Sequence, residues 1–288
     1  MQEKKCFKMR IKVTSDSTCD LSPELLAKWD ITLKPLTVIM GGHDFQDGVT
    51  IVPADIFAHV AAGGDLCTTS AVSIAEYHDF FAPFARDYDA LIHITIGSGF
   101  SSCYQNACLA AQDFDNVRVV DSQNLSTGQG LVVLEICRLA AAGDDADTIC
   151  WKMQEFTPKV EASFVLHQLA YMVKGGRCSS AAALGANLLN LRPCIEVKDG
   201  RMTVVKKYRG SFEKCLATYV RDRLAGREDI RRDLLFVTHT PVEDNAFSVV
   251  METVAQCGSF DTVCETVAGC TVSCHCGPGT LGVLFVRK

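Results

Sequence analysis

The feature of this sequence that most limits its fold is a repeated order of strand, short polar turn and helix in the first half. Residues 11–14 and 90–96 are strand-like runs, and Ser, Asp, Thr or Gly follows each of them. Residues 101–114 and 127–142 have helical periodicity. Parallel strands need crossovers of helical length, so this alternation predicts an α/β domain with a parallel sheet.

The second half of the chain has a looser pattern. Strands predicted at residues 164–166, 202–208, 234–238 and 281–286 are separated by helices and turns of unequal length, which favours a mixed α/β domain. A chain of 288 residues is long enough for two domains. We place the boundary near residue 158.

The composition is that of an ordinary folded protein and argues against a nucleic-acid partner. Hydrophobic residues make up 48% of the chain, and the formal net charge is −6. Binding of phosphates requires clustered Lys and Arg. The basic runs at residues 206–209 and 227–232 are short or interrupted by acidic residues, and a solvated surface is the simpler interpretation.

The cysteines and the first ten residues bear on the cellular compartment. The 15 cysteines are an odd number, and several, such as Cys108 and Cys137, lie in apolar stretches where cysteine acts as a small core residue. Residues 1–10 are polar and charged and lack the apolar stretch of a signal peptide. We therefore expect a reduced, cytoplasmic protein. No apolar run approaches about 18 residues, so no stable membrane insertion is expected.

The turn at residues 97–102, Gly-Ser-Gly-Phe-Ser-Ser, joins a predicted buried strand to a predicted helix. The amides at such a helix N-terminus, with the hydroxyls, can bind an anion. Equally, the glycines can serve a tight turn and the serines can cap the helix. The turn is not a P-loop, because no Lys follows the second Gly.

Three further groups are candidates for ligand binding. Residues 67–70, Cys-Thr-Thr-Ser, form a second hydroxyl cluster, for which a helix N-cap is the favoured interpretation. His275 precedes a Gly-Pro-Gly turn that would fix an imidazole against a carboxylate, although a lone His is more often structural. Arg177 follows two glycines and is either a surface residue or a clamp for carboxylate or phosphate.

Two chemical alternatives remain open at this point. Ser98, His275 and Asp121 could form a hydrolase triad, although residues 96–100 do not fit the Gly-x-Ser-x-Gly elbow. A zinc site could use Cys264, Cys270, Cys274, His275 and Cys276, but a structural zinc site needs paired knuckles and only one close pair is present.

Taken together, the motifs resemble those of the DegV family of bacterial fatty-acid-binding proteins, nearly from end to end. Each motif is weak alone, but their common order is specific. They are residues 15–21 (Ser-Asp-Ser-Thr-Cys-Asp-Leu), 45–48 (Phe-Gln-Asp-Gly), 68–73 (Thr-Thr-Ser-Ala-Val-Ser), 96–107 (Ile-Gly-Ser-Gly-Phe-Ser-Ser-Cys-Tyr-Gln-Asn-Ala), 121–122 (Asp-Ser), 174–177 (Lys-Gly-Gly-Arg), 188–193 (Leu-Leu-Asn-Leu-Arg-Pro), 207–209 (Lys-Tyr-Arg) and 275–280 (His-Cys-Gly-Pro-Gly-Thr).

The resemblance implies an α/β fold of the EDD type with a long-chain fatty acid between two domains. Residues 1–158 would form an N-terminal three-layer α/β/α domain with a parallel sheet, and residues 159–288 a C-terminal two-layer α/β domain with a mixed sheet. It implies lipid metabolism without a cofactor or a catalytic residue. A partner fatty-acid kinase would phosphorylate the bound carboxylate to an acyl phosphate.

The resemblance also implies roles for particular residues. The carboxylate would be held by Thr69, Ser70, Ser98 and His275, and Arg177 would lie at the kinase interface or the pocket rim. The loops that support the pocket would contain Asp16, Ser17, Gly277 and Gly279.

Physical chemistry supports this interpretation. A buried carboxylate needs hydrogen-bond donors, which three hydroxyls and an imidazole supply, and a protonated His275 would add charge assistance. About 14 buried methylenes at about 0.8 kcal/mol each give roughly 11 kcal/mol before the costs of binding. The rival functions are a serine acyl hydrolase or transferase that uses Ser98 and His275, a binder of a different small polar ligand, and a zinc protein.

Overall fold

The structure is a computed structural model that describes residues 9–184 and 191–288. Residues 188–190 of the motif at residues 188–193 and residues 1–8 of the polar N-terminal segment lie outside these ranges. The strands are β1 (Ile11–Asp16), β2 (Thr32–Lys34), β3 (Thr37–Met40), β4 (His43–Gln46), β5 (Thr68–Ser70), β6 (Ala90–Thr95), β7 (Val117–Asp121), β8 (Val160–Val165), β9 (Leu191–Lys198), β10 (Arg201–Arg209), β11 (Leu234–His239), β12 (Thr262–Val267) and β13 (Leu281–Val286). The helices are α1 (Pro23–Lys28), α2 (Pro53–Ala61), α3 (Ile74–Asp87), α4 (Cys103–Ala111), α5 (Ser126–Ala142), α6 (Ala146–Phe156), α7 (Leu169–Gly175), α8 (Ser179–Ala182), α9 (Phe212–Leu224), α10 (Asp244–Gln256) and α11 (Cys270–Cys276).

The first half of the chain forms the predicted parallel sheet. Its order is β2-β1-β6-β7, and every adjacent pair is parallel. Every residue of β6 is buried, as expected for a central strand covered on both faces. The helix pairs α3–α4 and α5–α6 pack against this sheet, which gives the three-layer α/β/α arrangement that was expected.

The second half forms a mixed sheet of six strands in the order β10-β9-β8-β13-β11-β12. Only the β11–β12 pair is parallel. Helices α9 and α10 pack on each other, and α9 packs on the sheet. The sequence did not predict β9 or β12. Residues 191–198 contain a proline and three charged residues, and β12 is a half-exposed edge strand, so neither has a clear apolar pattern.

Helix α5 joins the two sheets. It contacts β1 and β6 of the parallel sheet and β8, β11 and β13 of the mixed sheet. Its first eight residues, Ser126 to Val133, are all buried, because a helix between two sheets has no solvent-facing side. The predicted boundary near residue 158 lies between the two sheets in the chain and stays a prediction.

A small antiparallel sheet, β4-β3-β5, covers the junction. Its β5 corrects the interpretation of residues 67–70 as a helix N-cap. The capping residue of α3 is Ser73, whose hydroxyl accepts from the backbone N–H of Glu76 at 3.3 Å. Thr69 instead pairs with Val38 of β3.

Helix α11 comes from the second half of the chain but packs on α2, β3 and β5 of the first. The sequence placed His275 in a turn, whereas it lies in the last turn of this seven-residue helix. Within 9–184 and 191–288, no helix has both the length and the apolar character needed to cross a membrane.

Candidate functional site

A cavity of about 170 Å³ lies where the small sheet, the turn after β6, α7 and α11 meet. Its wall contains both polar and apolar residues. The polar and charged lining residues are Thr69, Ser70, Ser101, Ser102, Arg177, Thr271 and His275, and the apolar ones include Leu36, Ile96, Phe100, Leu125, Met172, Met202 and Val272.

Two of the polar lining residues contact each other across the junction. Thr69 Oγ1 and His275 Nε2 lie 2.8 Å apart, although 206 residues separate them in the chain. Strand pairing with β3 positions Thr69, and α11 positions His275. The structure thus brings together two of the residues to which the resemblance assigned the carboxylate. Ser70, the next residue of β5, lines the same cavity.

Gly175 leaves room for the His275 ring beside Thr69. A Cβ added to Gly175 would lie 2.3 Å from His275 Nδ1. That nitrogen is buried and has no hydrogen-bond partner among the described residues. The last residue of α7 therefore determines how the ring sits against Thr69.

His275 is neutral near pH 7 in this structure. Burial lowers its pKa to about 4, and the nearby charge of Arg177 acts in the same direction. The pKa falls because the ring is desolvated beside a cation. A protonated His275 against a bound carboxylate stays a prediction. A neutral imidazole still has one N–H donor for a carboxylate.

Arg177 lies at the exposed mouth of the cavity. Its Nε donates to Phe100 O at 3.3 Å, and one terminal nitrogen donates to Gly175 O at 2.7 Å. In 9–184 and 191–288 no carboxylate forms a salt bridge with it. An arginine with only carbonyl partners retains donors for an anionic group, which agrees with a position at the pocket rim.

The structure does not bring Ser98 into the cavity. Ser98 is exposed, its hydroxyl donates to Asp121 Oδ2 at 2.5 Å, and its backbone N–H donates to Asp121 Oδ1 at 3.0 Å. The cavity wall is instead formed by Ser101 and Ser102 of the same turn. The Ser101 hydroxyl donates to Cys103 Sγ at 3.2 Å and accepts from the backbone N–H of Cys103 at 3.3 Å.

Asp16 and Ser17 do not line the cavity, but they form hydrogen bonds with segments around it. Asp16 is fully buried and accepts from the Tyr77 hydroxyl at 2.7 Å and from the backbone N–H of Ile96 at 3.0 Å. It thereby holds the start of the turn that carries Ser101. Ser17 donates to Asp47 Oδ2 at 3.0 Å.

Gly277 and Gly279 shape the chain after α11. Both have a φ of +74°, in the region that favours glycine. A Cβ at Gly277 would lie 2.6 Å from the Tyr171 ring, and one at Gly279 would lie 2.8 Å from the Cβ of His167. These glycines let the chain turn sharply from the helix that carries His275 into β13.

A second cavity of about 30 Å³ lies next to the first. It shares Leu125, Val272 and Cys276 with the first cavity. Ala162, Phe164, Ala268 and Leu284 add further apolar surface between α5 and the mixed sheet. The two cavities therefore share part of their wall at the junction of the two halves of the chain.

The sequence interpretation missed Ser101, Ser102 and Thr271 as lining residues. Ser101 and Ser102 belong to a recognised motif, but only the structure shows which serines of the turn line the cavity. Thr271 lies four residues before His275, a spacing that shares one helix face. If α11 had been predicted from the sequence, Thr271 would have been placed on the same helix face as His275.

The two chemical alternatives do not fit the observed contacts. In a triad, His275 would bond to Ser98, but His275 bonds to Thr69 and Ser98 bonds directly to Asp121. In the part of the chain that the structure describes, no three His, Cys, Asp or Glu side chains are gathered to hold a metal ion. Cys270, for example, donates to Ile51 O.

Comparisons with known proteins agree with this architecture. The family model described as an uncharacterised protein of the DegV family matches residues 10–288. A DegV domain-containing protein of Clostridium acetobutylicum is 31% identical over 281 residues, which span 97% of this chain and 99% of that protein.

Two solved structures share the fold and are described as binding fatty acids. A DegV family protein from Thermus thermophilus, described by its fatty acid binding, has a TM-score of 0.87 and 28% identity over 97% of this chain and 100% of that one. A stearic acid-binding protein from Eubacterium ventriosum has a TM-score of 0.81 and 25% identity over 96% and 98%. With the family model matching nearly all of its length, this chain belongs to the DegV family.

Proposed function

We propose that this protein binds one long-chain fatty acid between the two halves of the chain and presents its carboxylate to a partner kinase. The carboxylate would lie against Thr69, Ser70 and His275, with Ser101 in the position first assigned to Ser98. The acyl chain would follow the apolar path towards Leu125. The observation that carries this proposal is the Thr69–His275 pair at the polar end of a cavity with apolar walls.

The contacts of the cavity match the chemistry of a fatty acid. Hydroxyl and imidazole donors can satisfy a carboxylate that has lost its water. The apolar wall removes methylene groups from water, at about 0.8 kcal/mol each. The tail would then supply most of the affinity, and the polar end would set the orientation. The two similar structures described as fatty-acid binding support the same ligand class.

The protein would act as a carrier and leave the chemistry to its partner. The contacts of Ser98 and His275 do not form an activated nucleophile, so the hydrolase alternative has no geometric support. The exposed guanidinium of Arg177 lies at the cavity mouth, where a kinase would approach the carboxylate. We propose that Arg177 contacts this kinase, which transfers a phosphoryl group from ATP. A cytoplasmic location would provide both ATP and reduced thiols.

The first experiment is to purify the protein natively from bacteria, extract it with organic solvent and identify the extracted compounds by mass spectrometry. We expect a fatty acid at close to one molecule per protein. A well-folded protein whose extract contains no fatty acid, and which takes up none when it is offered, would overturn the proposal and favour a different polar ligand.

The kinase step needs its own test, since lipid binding can be correct without it. The loaded protein, a fatty-acid kinase and ATP should yield an acyl phosphate, which hydroxylamine traps as a hydroxamate. Arg177→Ala should retain the lipid and slow this reaction. Loss of lipid from Arg177→Ala would place the residue inside the pocket instead.

A further inference from the structure

The hydroxyl of Thr271 has no hydrogen-bond partner among the described residues, although the residue lines the cavity. Thr271 is only 4% exposed. Its backbone is fixed, because its N–H donates to Asp47 Oδ2 at 3.1 Å. As the second residue of α11, it has no helical carbonyl four residues earlier to which its hydroxyl could bond. A buried hydroxyl without a partner is costly and rare.

A carboxylate at the polar end does not account for this hydroxyl. A carboxylate has two oxygens and about four lone-pair positions. Six other polar side chains already line the cavity, namely Thr69, Ser70, Ser101, Ser102, Arg177 and His275. Those residues offer more donors than one carboxylate can use.

Thr271 lies one helical turn from His275 on the same face of α11, so their Cβ atoms are about 6 Å apart. A ligand whose carboxylate lies at His275 would have the first part of its chain near Thr271. An unsubstituted methylene there would leave the hydroxyl unpaired. Because the hydroxyl oxygen itself is buried, a rotation about χ1, for which threonine has two rotamers in a helix, would turn it towards a hydroxyl or oxo group on the chain.

We propose that the preferred ligand is a fatty acid with a hydroxyl or oxo group near its carboxyl end, and that Thr271 recognises this group. This inference rests on the proposed fatty-acid function and narrows the class of ligand. Sites built to bond a polar group discriminate strongly against the analogue that lacks it, because their own polar group is then unpaired. Thr271 is therefore a specificity-determining residue, whereas Thr69 and His275 bind any fatty acid.

The test measures the dissociation constants of hexadecanoic acid and of the positional isomers of hydroxyhexadecanoic acid and oxohexadecanoic acid, substituted at each carbon from 2 to 6. The delipidated wild-type protein is compared with Thr271→Val, which removes the hydroxyl and keeps the shape. We expect at least one isomer to bind the wild type about 3- to 10-fold more tightly than hexadecanoic acid does. Thr271→Val should abolish that preference and bind hexadecanoic acid at least as well as the wild type does.

Thr68→Val is the matched control, because Thr68 is exposed on β5 and does not line the cavity. It should keep the wild-type preference. Tight binding of hexadecanoic acid without a preference for any isomer would overturn this inference and leave the proposed function intact, as would a preference that survives in Thr271→Val. Failure of all these acids to bind the wild type would overturn both. Thermal unfolding of each variant checks that the fold is retained.

Discussion

Asp47 Oδ1 accepts a hydrogen bond from the backbone N–H of Cys270 at 2.7 Å, across 223 residues of chain. Asp47 Oδ2 accepts from the next N–H, that of Thr271, and Asp20 Oδ1 accepts from Gly269 at 2.9 Å. Two buried acidic side chains from the first half thus accept hydrogen bonds from the N-terminal amides of α11. Because α11 carries His275, the proposed ligand site depends on these contacts.

Replacement of Asp47 should therefore destabilise the protein and weaken ligand binding together. Asp47→Ala loses the bonds from Cys270, Thr271 and Ser17, and we expect the free energy of unfolding to fall by about 2–4 kcal/mol. Asp47→Asn keeps one acceptor and should lose less. Urea unfolding measures the change. Asp44→Ala, at an exposed position of β4, is the control. If both variants lost the same free energy of unfolding, the effect of Asp47→Ala would not be due to its bonds with α11.

Gly175→Ala should weaken ligand binding and leave the free energy of unfolding nearly unchanged. The added methyl would lie 2.3 Å from His275 Nδ1 and would push the ring away from Thr69. Alanine favours the helix more than glycine does, so unfolding should change little while fatty-acid affinity falls by about tenfold or more. Calorimetric titration of the delipidated protein with hexadecanoic acid measures the affinity.

Gly176→Ala is the companion variant for Gly175. Gly176 has a φ of +68° but no atom within 4 Å of an added Cβ. It should lose about 1 kcal/mol of stability through backbone strain and keep its affinity. Equal affinities for the two variants would show that the His275 contact has no role in binding.

The parallel sheet could be predicted from the sequence because its signals are local. Strands β1 and β6 are each followed by a polar turn and then by a helix with its own periodicity. β5 could not be predicted, because its three residues become a strand only by pairing with β3, about thirty residues earlier. The residue that caps α3 is Ser73, three residues after Ser70.

Helix α11 shows the same limit for the site. It is short and rich in Cys, Ser and Thr, and its caps are Asp20 and Asp47, more than two hundred residues away. No local sequence pattern predicts this helix, so His275 was predicted in a turn and Thr271 was missed. The family motifs located Thr69 and His275, but they did not show which serine of residues 97–102 faces the cavity.

Ser101→Ala should weaken fatty-acid binding, whereas Ser98→Ala should leave it within about twofold of the wild type. Ser101 lines the cavity, and its hydroxyl donates to the weak acceptor Cys103 Sγ, which a carboxylate would replace. The Ser98 hydroxyl is exposed and bonded to the Asp121 carboxylate. For Ser101→Ala, loss of one hydrogen bond to a carboxylate predicts an affinity about tenfold lower. Lipid retained through native purification gives a second measure. If Ser98→Ala weakened binding more than Ser101→Ala did, Ser98 would be the residue that contacts the carboxylate.

Leu125→Phe should shorten the acyl chain that the protein accepts. Leu125 belongs to the walls of both cavities, so a larger side chain there would narrow the path between them. Affinity for hexadecanoic acid should fall by about tenfold or more, while octanoic acid should bind within about twofold of the wild type. Leu109→Phe, at a position 41% exposed on α4, is the control. Equal losses for both acids would place the acyl chain elsewhere.

The free energy of unfolding should respond to pH through His275. Burial lowers the pKa of His275 from 6.5 to about 4 in the folded protein. Between these values the unfolded chain takes up a proton that the folded chain does not. This contribution should therefore reduce stability as the pH falls from 6.5 to 4, by about 2–3 kcal/mol at most.

Asp20 titrates in the opposite sense, and the experiment must separate the two groups. Burial raises the pKa of Asp20 to about 8, so its contribution is lost as the pH rises towards 8 and grows as the pH falls. His275→Gln keeps a donor for Thr69 and removes only the titration of the ring. The unfolding free energy of the delipidated wild type minus that of His275→Gln should therefore decrease from pH 6.5 to 4. A difference that stays constant over this range would mean that the His275 ring is not desolvated in the folded protein.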